Sequence, residues 1–241
     1  MTKNPQYLAT AESIYENMKA ASGTTPCGGS LIWWSKDKTY VNAIANELFL
    51  DVAAHLANRV GKGRSSYYLN TAIQQWISFK QSGMINAQNT INDGLDNATC
   101  ENNGGTVWSY NQGVILGGLA ELTRATGDSS YTTEAKLIAD AAIANLTDAN
   151  GILHDPCEPN CGGDGSQFKG VFARNLQILQ KTSPEARYAA FLQRNANSIW
   201  AKDRNSEDEL SLIWSGPFVV PANASTQSSA MDALVGALAT S

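Results

Sequence analysis

Residues 63–79 read GRSSYYLNTAIQQWISF, and the same plan recurs as TKNPQYLATAESIYENM at 2–18 and as GDSSYTTEAKLIADAAI at 127–143. In each copy a polar turn leads to a tyrosine and then to apolar residues at helical spacing. The copies at 63 and 127 each follow another helical stretch, NAIANELFLDVAAHLANRVG at 42–61 and SYNQGVILGGLAELTRATGD at 109–128. The repeating unit is a helical hairpin of about 60 residues.

Working outward, SQFKGVFARNLQILQKT at 166–182 pairs across a short turn with PEARYAAFLQRNANSIWAKD at 184–203, and a last helix runs through QSSAMDALVGALA at 227–239. Eight helices result, with no convincing strand. The connections alternate between turns of about five residues and segments of roughly twenty, and in an antiparallel array all the long ones fall at one end, where loops of that length usually serve function. Arrays of such hairpins close into a toroid, the (α/α)6 barrel of twelve helices, or stay open as a solenoid. By the phase of the repeat, the helix near 6–20 is the second half of a hairpin. A closed ring needs on the order of 360 residues at this spacing, so about eight of twelve helices are expected here and the first hairpins are not. An open edge of that kind predicts low thermal stability or self-association through the apolar flank carrying Tyr7, Leu8, Ile14, Tyr15 and Met18.

Composition narrows the function. The 241 residues are 43% hydrophobic and carry a net charge of -5, with 17 Lys and Arg and no basic cluster, which argues against an electrostatic grip on nucleic acid or anionic lipid. No apolar run approaches the roughly 20 residues of a membrane span, and residues 1–20 do not read as a signal peptide. The four cysteines, Cys27, Cys100, Cys157 and Cys161, lie in Gly, Asn or Pro-rich stretches. An even number placed in loops points to two disulfides, read as Cys27 with Cys100 and Cys157 with Cys161, and to an oxidising compartment. A zinc site lacks material: there is no CxxC pair, and the two histidines, His55 and His154, are far apart. The sequons at Asn97, Asn145 and Asn223 agree with a secreted or cell-wall glycoprotein. Nothing calls for a metal or another cofactor.

Three long loops carry similar equipment: CGGSLIWWSKDKTYVNAIANE at 27–47, INDGLDNATCENNGGTVWSYNQG at 91–113 and GILHDPCEPNCGGDGSQFKG at 151–170. Each combines glycines, carboxylates and amides and runs into a helix start. Helix caps explain Asn42, Asn111 and Gln167 individually. As a set, Trp33, Trp34, Trp108 and Tyr110 among Asn46, Glu47, Asp93, Asp96 and Gln112 have the composition of a sugar site, with aromatic faces for the apolar side of a pyranose and polar groups for its hydroxyls. One of Trp33 and Trp34 is expected to pack beneath its loop, and Trp76 and Trp200 to lie in the core. No GxSxG or HExxH occurs, and the glycines of GVILGGLAE at 113–121 do not follow a strand, so they suit close helix packing rather than a nucleotide. Glycoside hydrolysis needs only two carboxylates. Glu47, Asp93, Asp96, Asp155, Glu158 and Asp164 are available, and most loop carboxylates are caps or solvated.

The segments CGGSLIWW (27–34), YVNAIANELF (40–49), INDGLD (91–96), GTVWSYNQGVILGGLAEL (105–122), GILHDPCE (151–158), QFKGVFAR (167–174) and WSGPF (214–218) followed by TQSSAMDAL (226–234) resemble, in order, those of fungal glycoside hydrolase family 76. The resemblance extends over nearly the whole chain. It implies an (α/α)6 barrel, secretion or cell-wall attachment, and retaining endo-hydrolysis of α-1,6-linked mannan, with cell-wall relatives thought to act as transglycosylases. The family's catalytic pair is two adjacent aspartates on the hairpin before the one with which this sequence opens. There is no Asp-Asp dipeptide in these 241 residues, so no catalytic residue is carried over. What the resemblance does carry over is the wall of a glycan cleft: Trp33, Trp34, Asn42, Asn46, Glu47, Asp93, Asp96, Tyr110, Asn111 and Gln112. Two readings follow: a mannan-cleaving glycosidase, or a non-catalytic mannan or mannooligosaccharide-binding protein.

Overall fold

The computed structural model describes residues 4–240. Thr2 and Lys3, at the head of the opening polar turn, lie outside them. The order is α1 (Pro5–Ala21), α2 (Ala43–Ala57), α3 (Lys62–Gln81), α4 (Ser109–Thr126), α5 (Ser130–Asn145), α6 (Gly162–Gly165), α7 (Phe168–Thr182), α8 (Ala186–Lys202) and α9 (Ala224–Leu238). Apart from α6, a single turn leading into α7, these are the eight helices of the repeat. Among the described residues the only β features are five isolated bridges within the loops.

Two rows result. Helices α2, α4, α7 and α9 pack side by side in that order, while α1, α3, α5 and α8 lie outside them. Burial follows from this placement. On α4, every residue from Asn111 to Leu122 is buried, as expected for a helix with neighbours on all sides. Its glycines make the crowding possible: a Cβ on Gly113 would sit 2.6 Å from the Phe172 backbone, and one on Gly118 2.3 Å from Leu50 of α2. The outer helices are amphipathic, burying Tyr68, Ala72, Trp76 and Phe79 on α3, and Tyr188, Phe191, Leu192 and Ile199 on α8. One continuous apolar core runs through both rows.

The short connections stop helices by simple chemistry. Gly127 ends α4 in the left-handed region at φ 78°; at the far ends of two long connections, Asn42 and Asn223 start α2 and α9 by capping them with their side chains. The long connections all lie at the end where the inner helices begin. Both disulfides form as read, Cys27–Cys100 and Cys157–Cys161. Of the sequon asparagines, Asn97 holds Thr39 and Val41 with its side chain, Asn223 is the cap of α9, and Asn145 is exposed at the end of α5.

Two expectations need correction. Trp200 is not core: it is 52% exposed, with the Arg204 guanidinium 3.9 Å from its ring centroid, because position 200 falls on the outer face of an outer helix. The flank of α1 is also less naked than expected. Tyr15 is fully buried and donates to the Thr71 hydroxyl at 2.8 Å, and Leu8 and Met18 pack on the core, leaving Tyr7 and Ile14 exposed.

Candidate functional site

The loop end is built by one device used repeatedly. After α3, α5 and α8 the chain makes the same turn, in which Asn86, Asp148 and Asn205 each accept two backbone N–H bonds, from residues two and four further on. Five residues after each stands a buried aliphatic side chain, Ile91, Leu153 and Leu210. The backbone N–H of each is taken by a helix amide: Gln112 (2.8 Å), Asn195 (2.9 Å) and Gln227 (2.8 Å) respectively. Asn46 does the same for Ile32 in the first loop, at 2.9 Å. These clamps satisfy backbone groups that could not otherwise be buried, and so fix long loops without sheet.

This assigns tasks to several residues read as sugar contacts. Asn46 and Gln112 are fully buried: Asn46 also donates to the Ile32 carbonyl and accepts from Gln75, and Gln112 donates to the carbonyls of Ile91 and Trp108. Asn42 is a cap, accepting from the Ala45 N–H at 3.3 Å. Asp96 is exposed and accepts from the N–H groups of Ala98 and Thr99.

Of the remaining candidates, Trp34 and Tyr110 line a cleft of about 750 Å³ along the inner row, whereas Trp33, Glu47, Asp93 and Asn111 do not. Trp34, 60% exposed, stands on one side with Ile44 and Leu48 of α2. Tyr110 and Phe168, from α4 and α7, form the other side, their rings 3.9 Å apart between centroids. Asp164 and Gln167 also line it, as do Asp51 and His55 further along α2. Trp33 is the tryptophan beneath the loop, donating its indole N–H to the Thr24 carbonyl at 3.2 Å. Phe168 was not singled out in the sequence. Its position as first residue of a helix after a Gly-rich loop, in the place where α4 carries Tyr110 after its own Gly-rich loop, was the available signal.

The carboxylates divide by environment. Asp155 is buried and accepts the Ser109 N–H (2.9 Å) and hydroxyl (2.6 Å), and burial raises its pKa. Glu158 is ion-paired with buried Lys169 at 2.6 Å, and its other oxygen lies 2.9 Å from His154 Nδ1. Asp93 accepts the Tyr40 hydroxyl at 2.7 Å, and burial together with that carboxylate pushes Tyr40 up to about 12. Glu47 is fully buried with both oxygens free of hydrogen bonds; desolvation first, and the Asp93 charge second, hold it well above the usual carboxylate range, which favours its neutral form. Asn111, one helix away, is also buried with neither amide atom bonded. At the opposite end of α4, Glu121 is 1% exposed and gathers Arg59, Arg124 and His55, which lower its pKa against the cost of burial. Among the described residues no cluster of His, Cys, Asp and Glu is arranged to hold a metal ion, and no helix is long and apolar enough to cross a membrane.

Residues 1–241 match glycosyl hydrolase family 76 from end to end. The chain belongs to that family. A mannan endo-1,6-alpha-mannosidase of Candida albicans, DFG5, is 30% identical over 193 residues, covering 75% of this chain and 42% of that protein. One of Saccharomyces cerevisiae, DCW1, is 29% identical over 213 residues, or 82% and 45%. The family-76 chain thus spans less than half the length of these curated relatives. Among solved structures, an inactive variant of a Salegentibacter α-1,6-mannanase, with two aspartates changed to asparagine and α-1,6-mannotriose bound, superposes with a TM-score of 0.85 at 21% identity. All of this chain and 71% of that one are covered. The Lin0763 protein of Listeria innocua gives 0.86 at 22%, covering 98% and 66%. The fold of this family-76 chain is accordingly the all-α, toroid-type arrangement of helical hairpins.

Proposed function

We propose that this chain supplies the glycan-binding wall of a family-76 protein acting on α-1,6-linked mannan, outside the cell or at its wall. The observation that carries the reading is the cleft itself, lined by Trp34, Tyr110 and Phe168, on a chain that matches the family along its whole length. Aromatic rings together with polar side chains in one cleft suit a neutral pyranose chain, and the negative net charge does not favour an anionic one. Two disulfides favour an oxidising compartment.

A second reading, binding without cleavage, is favoured by the carboxylates. Asp155, Glu158 and Asp93 are spent on Ser109, Lys169 and Tyr40, and Glu47 is shut away from the cleft. None of these four is left as a free acid flanking a substrate, and the carboxylates that do line the cleft are Asp164 and Asp51, the latter 3.3 Å from His55. Incubating the 241-residue chain with α-1,6-mannotetraose decides between the two. Saturable binding without product supports the binding role; shorter oligosaccharides whose release survives Asp93→Asn and Asp164→Asn together would place the chemistry elsewhere. Absence of both binding and product refutes a mannan-directed function for the chain.

A further inference from the structure

Tyr110 and Phe168 belong to different helices, yet their rings lie 3.9 Å apart between centroids with planes 33° apart, and Trp108 packs edge-on against Phe168 at 5.5 Å. All three rings are only partly buried. A continuous chain of buried polar contacts runs behind them. Ser109, between Trp108 and Tyr110, donates its N–H and hydroxyl to Asp155. The Asp155 N–H donates to Glu158 Oε1 at 3.0 Å, and that carboxylate holds Lys169 Nζ at 2.6 Å. Lys169 follows Phe168 directly, is 1% exposed, and completes its contacts on the Leu212 carbonyl (2.7 Å) and over the Trp214 ring (4.8 Å).

The residues carrying the aromatic pair are thus tied to each other from behind, through four consecutive groups. Burying an ammonium and two carboxylates is a poor way to gain stability, since apolar residues of similar volume hold helices together as well or better. What such a chain does supply is fixed geometry, because hydrogen bonds to charged groups are short and directional. Stacking on a sugar needs that geometry, since the contact is lost when a ring tilts or retreats by about an ångström.

Taking the mannan reading as its basis, we infer that Tyr110 and Phe168, stacked on each other, form a ledge whose outer ring face takes the apolar side of one hexopyranose in the cleft, the stack held in register by the Ser109–Asp155–Glu158–Lys169 chain. Ser109, Asp155, Glu158 and Lys169 are positioning residues and do not touch the sugar.

The test is calorimetric titration of the full chain with α-1,6-mannotetraose, with near-ultraviolet circular dichroism reporting on Trp108 beside the ledge. Phe168→Ala is expected to weaken binding by about tenfold, the equivalent of about 55 Å² of apolar contact, and Phe168→Trp to restore it to within about threefold. The paired change Lys169→Met with Glu158→Gln removes both members of the ion pair and leaves Asp155 on its two Ser109 contacts; it is expected to weaken binding at least fivefold and to alter the Trp108 signal. Should that pair not fold, Ser109→Ala, which removes one hydroxyl contact, is expected to weaken binding about twofold and to alter the same signal. No binding by the unaltered chain overturns the mannan reading and the ledge with it. Binding that survives Phe168→Ala overturns the ledge alone, and unchanged affinity and dichroism in both tie variants overturn the positioning role.

Discussion

Gln112→Met is the sharpest probe of how the loops are held. The Gln112 amide is fully buried and makes three contacts: it accepts from the Ile91 N–H (2.8 Å) and donates to the carbonyls of Ile91 (2.9 Å) and Trp108 (3.0 Å). The Trp108 carbonyl keeps the Gln112 backbone N–H as a partner, at 3.4 Å. The Ile91 N–H and C=O lose theirs, with Ile91 itself fully buried. Methionine matches glutamine in length and volume, so no cavity opens and the cost is that of two stranded backbone groups, roughly 1–3 kcal/mol each and about 4 kcal/mol together. For a chain of this size a loss of that order lowers the melting temperature by about 8 to 16 °C. Thermal melts of the two proteins measure it, with Gln193→Met as the control: Gln193 is exposed and bonds only Asn197, so its loss is expected to shift stability by less than about 0.5 kcal/mol. A Gln112→Met protein melting within 2 °C of the parent, by this same order-of-magnitude reckoning, refutes the idea that the amide clamps carry the loops.

Burial raises the Asp203 carboxyl to about 6 despite the hydroxyl of Ser211, so the unfolded chain releases that proton near pH 4 and the folded chain only near 6. Stability contributed by Asp203 is therefore present below pH 4 and lost as pH rises through about 6; melts at pH 4.5 and 7.0 are expected to show a smaller difference in Asp203→Asn than in the parent, and an equal difference contradicts the assignment. The disulfides differ in reach, with Cys27 and Cys100 separated by 73 positions and Cys157 and Cys161 by 4. By loop entropy the first is worth about 4 kcal/mol and the second about 2, so Cys27→Ser with Cys100→Ser lowers the denaturant midpoint more than Cys157→Ser with Cys161→Ser. Trp34→Ala is expected to weaken mannotetraose binding at least fivefold, whereas Trp200→Ala, on the outer face, leaves it unchanged; the reverse order in a titration rejects the cleft assignment.

Much of this fold is visible in the sequence because three of the helices repeat a tyrosine-led, amphipathic plan and because short and long connections alternate. The run of glycines in α4 announces a crowded inner helix, which Gly113 and Gly118 bear out against Phe172 and Leu50. Trp200 misled because helical spacing does not say which side of a helix faces outward. The loops were harder, since their order comes from side-chain amides reading backbone rather than from periodicity. A signal is nevertheless present: Asn86 precedes Ile91, Asp148 precedes Leu153 and Asn205 precedes Leu210 by the same five positions, in turns that share almost no other residue. The composition of the site was legible, but the division of labour within it was not. Asn46 and Gln112 look like sugar ligands until their partners are seen, and Phe168 looks like core until Tyr110 is found against it.

The six tryptophans allow the central claim, that this cleft receives a mannan chain, to be tested in one experiment. In a nitrogen–proton correlation spectrum each indole N–H gives a separate signal, and titration with α-1,6-mannotetraose is expected to move those of Trp34 and Trp108 in a saturable way. The signals of buried Trp76 and Trp214, and of Trp200 on the outer face, should stay in place. Indole signals that do not respond, or a response confined to Trp200, would contradict the account.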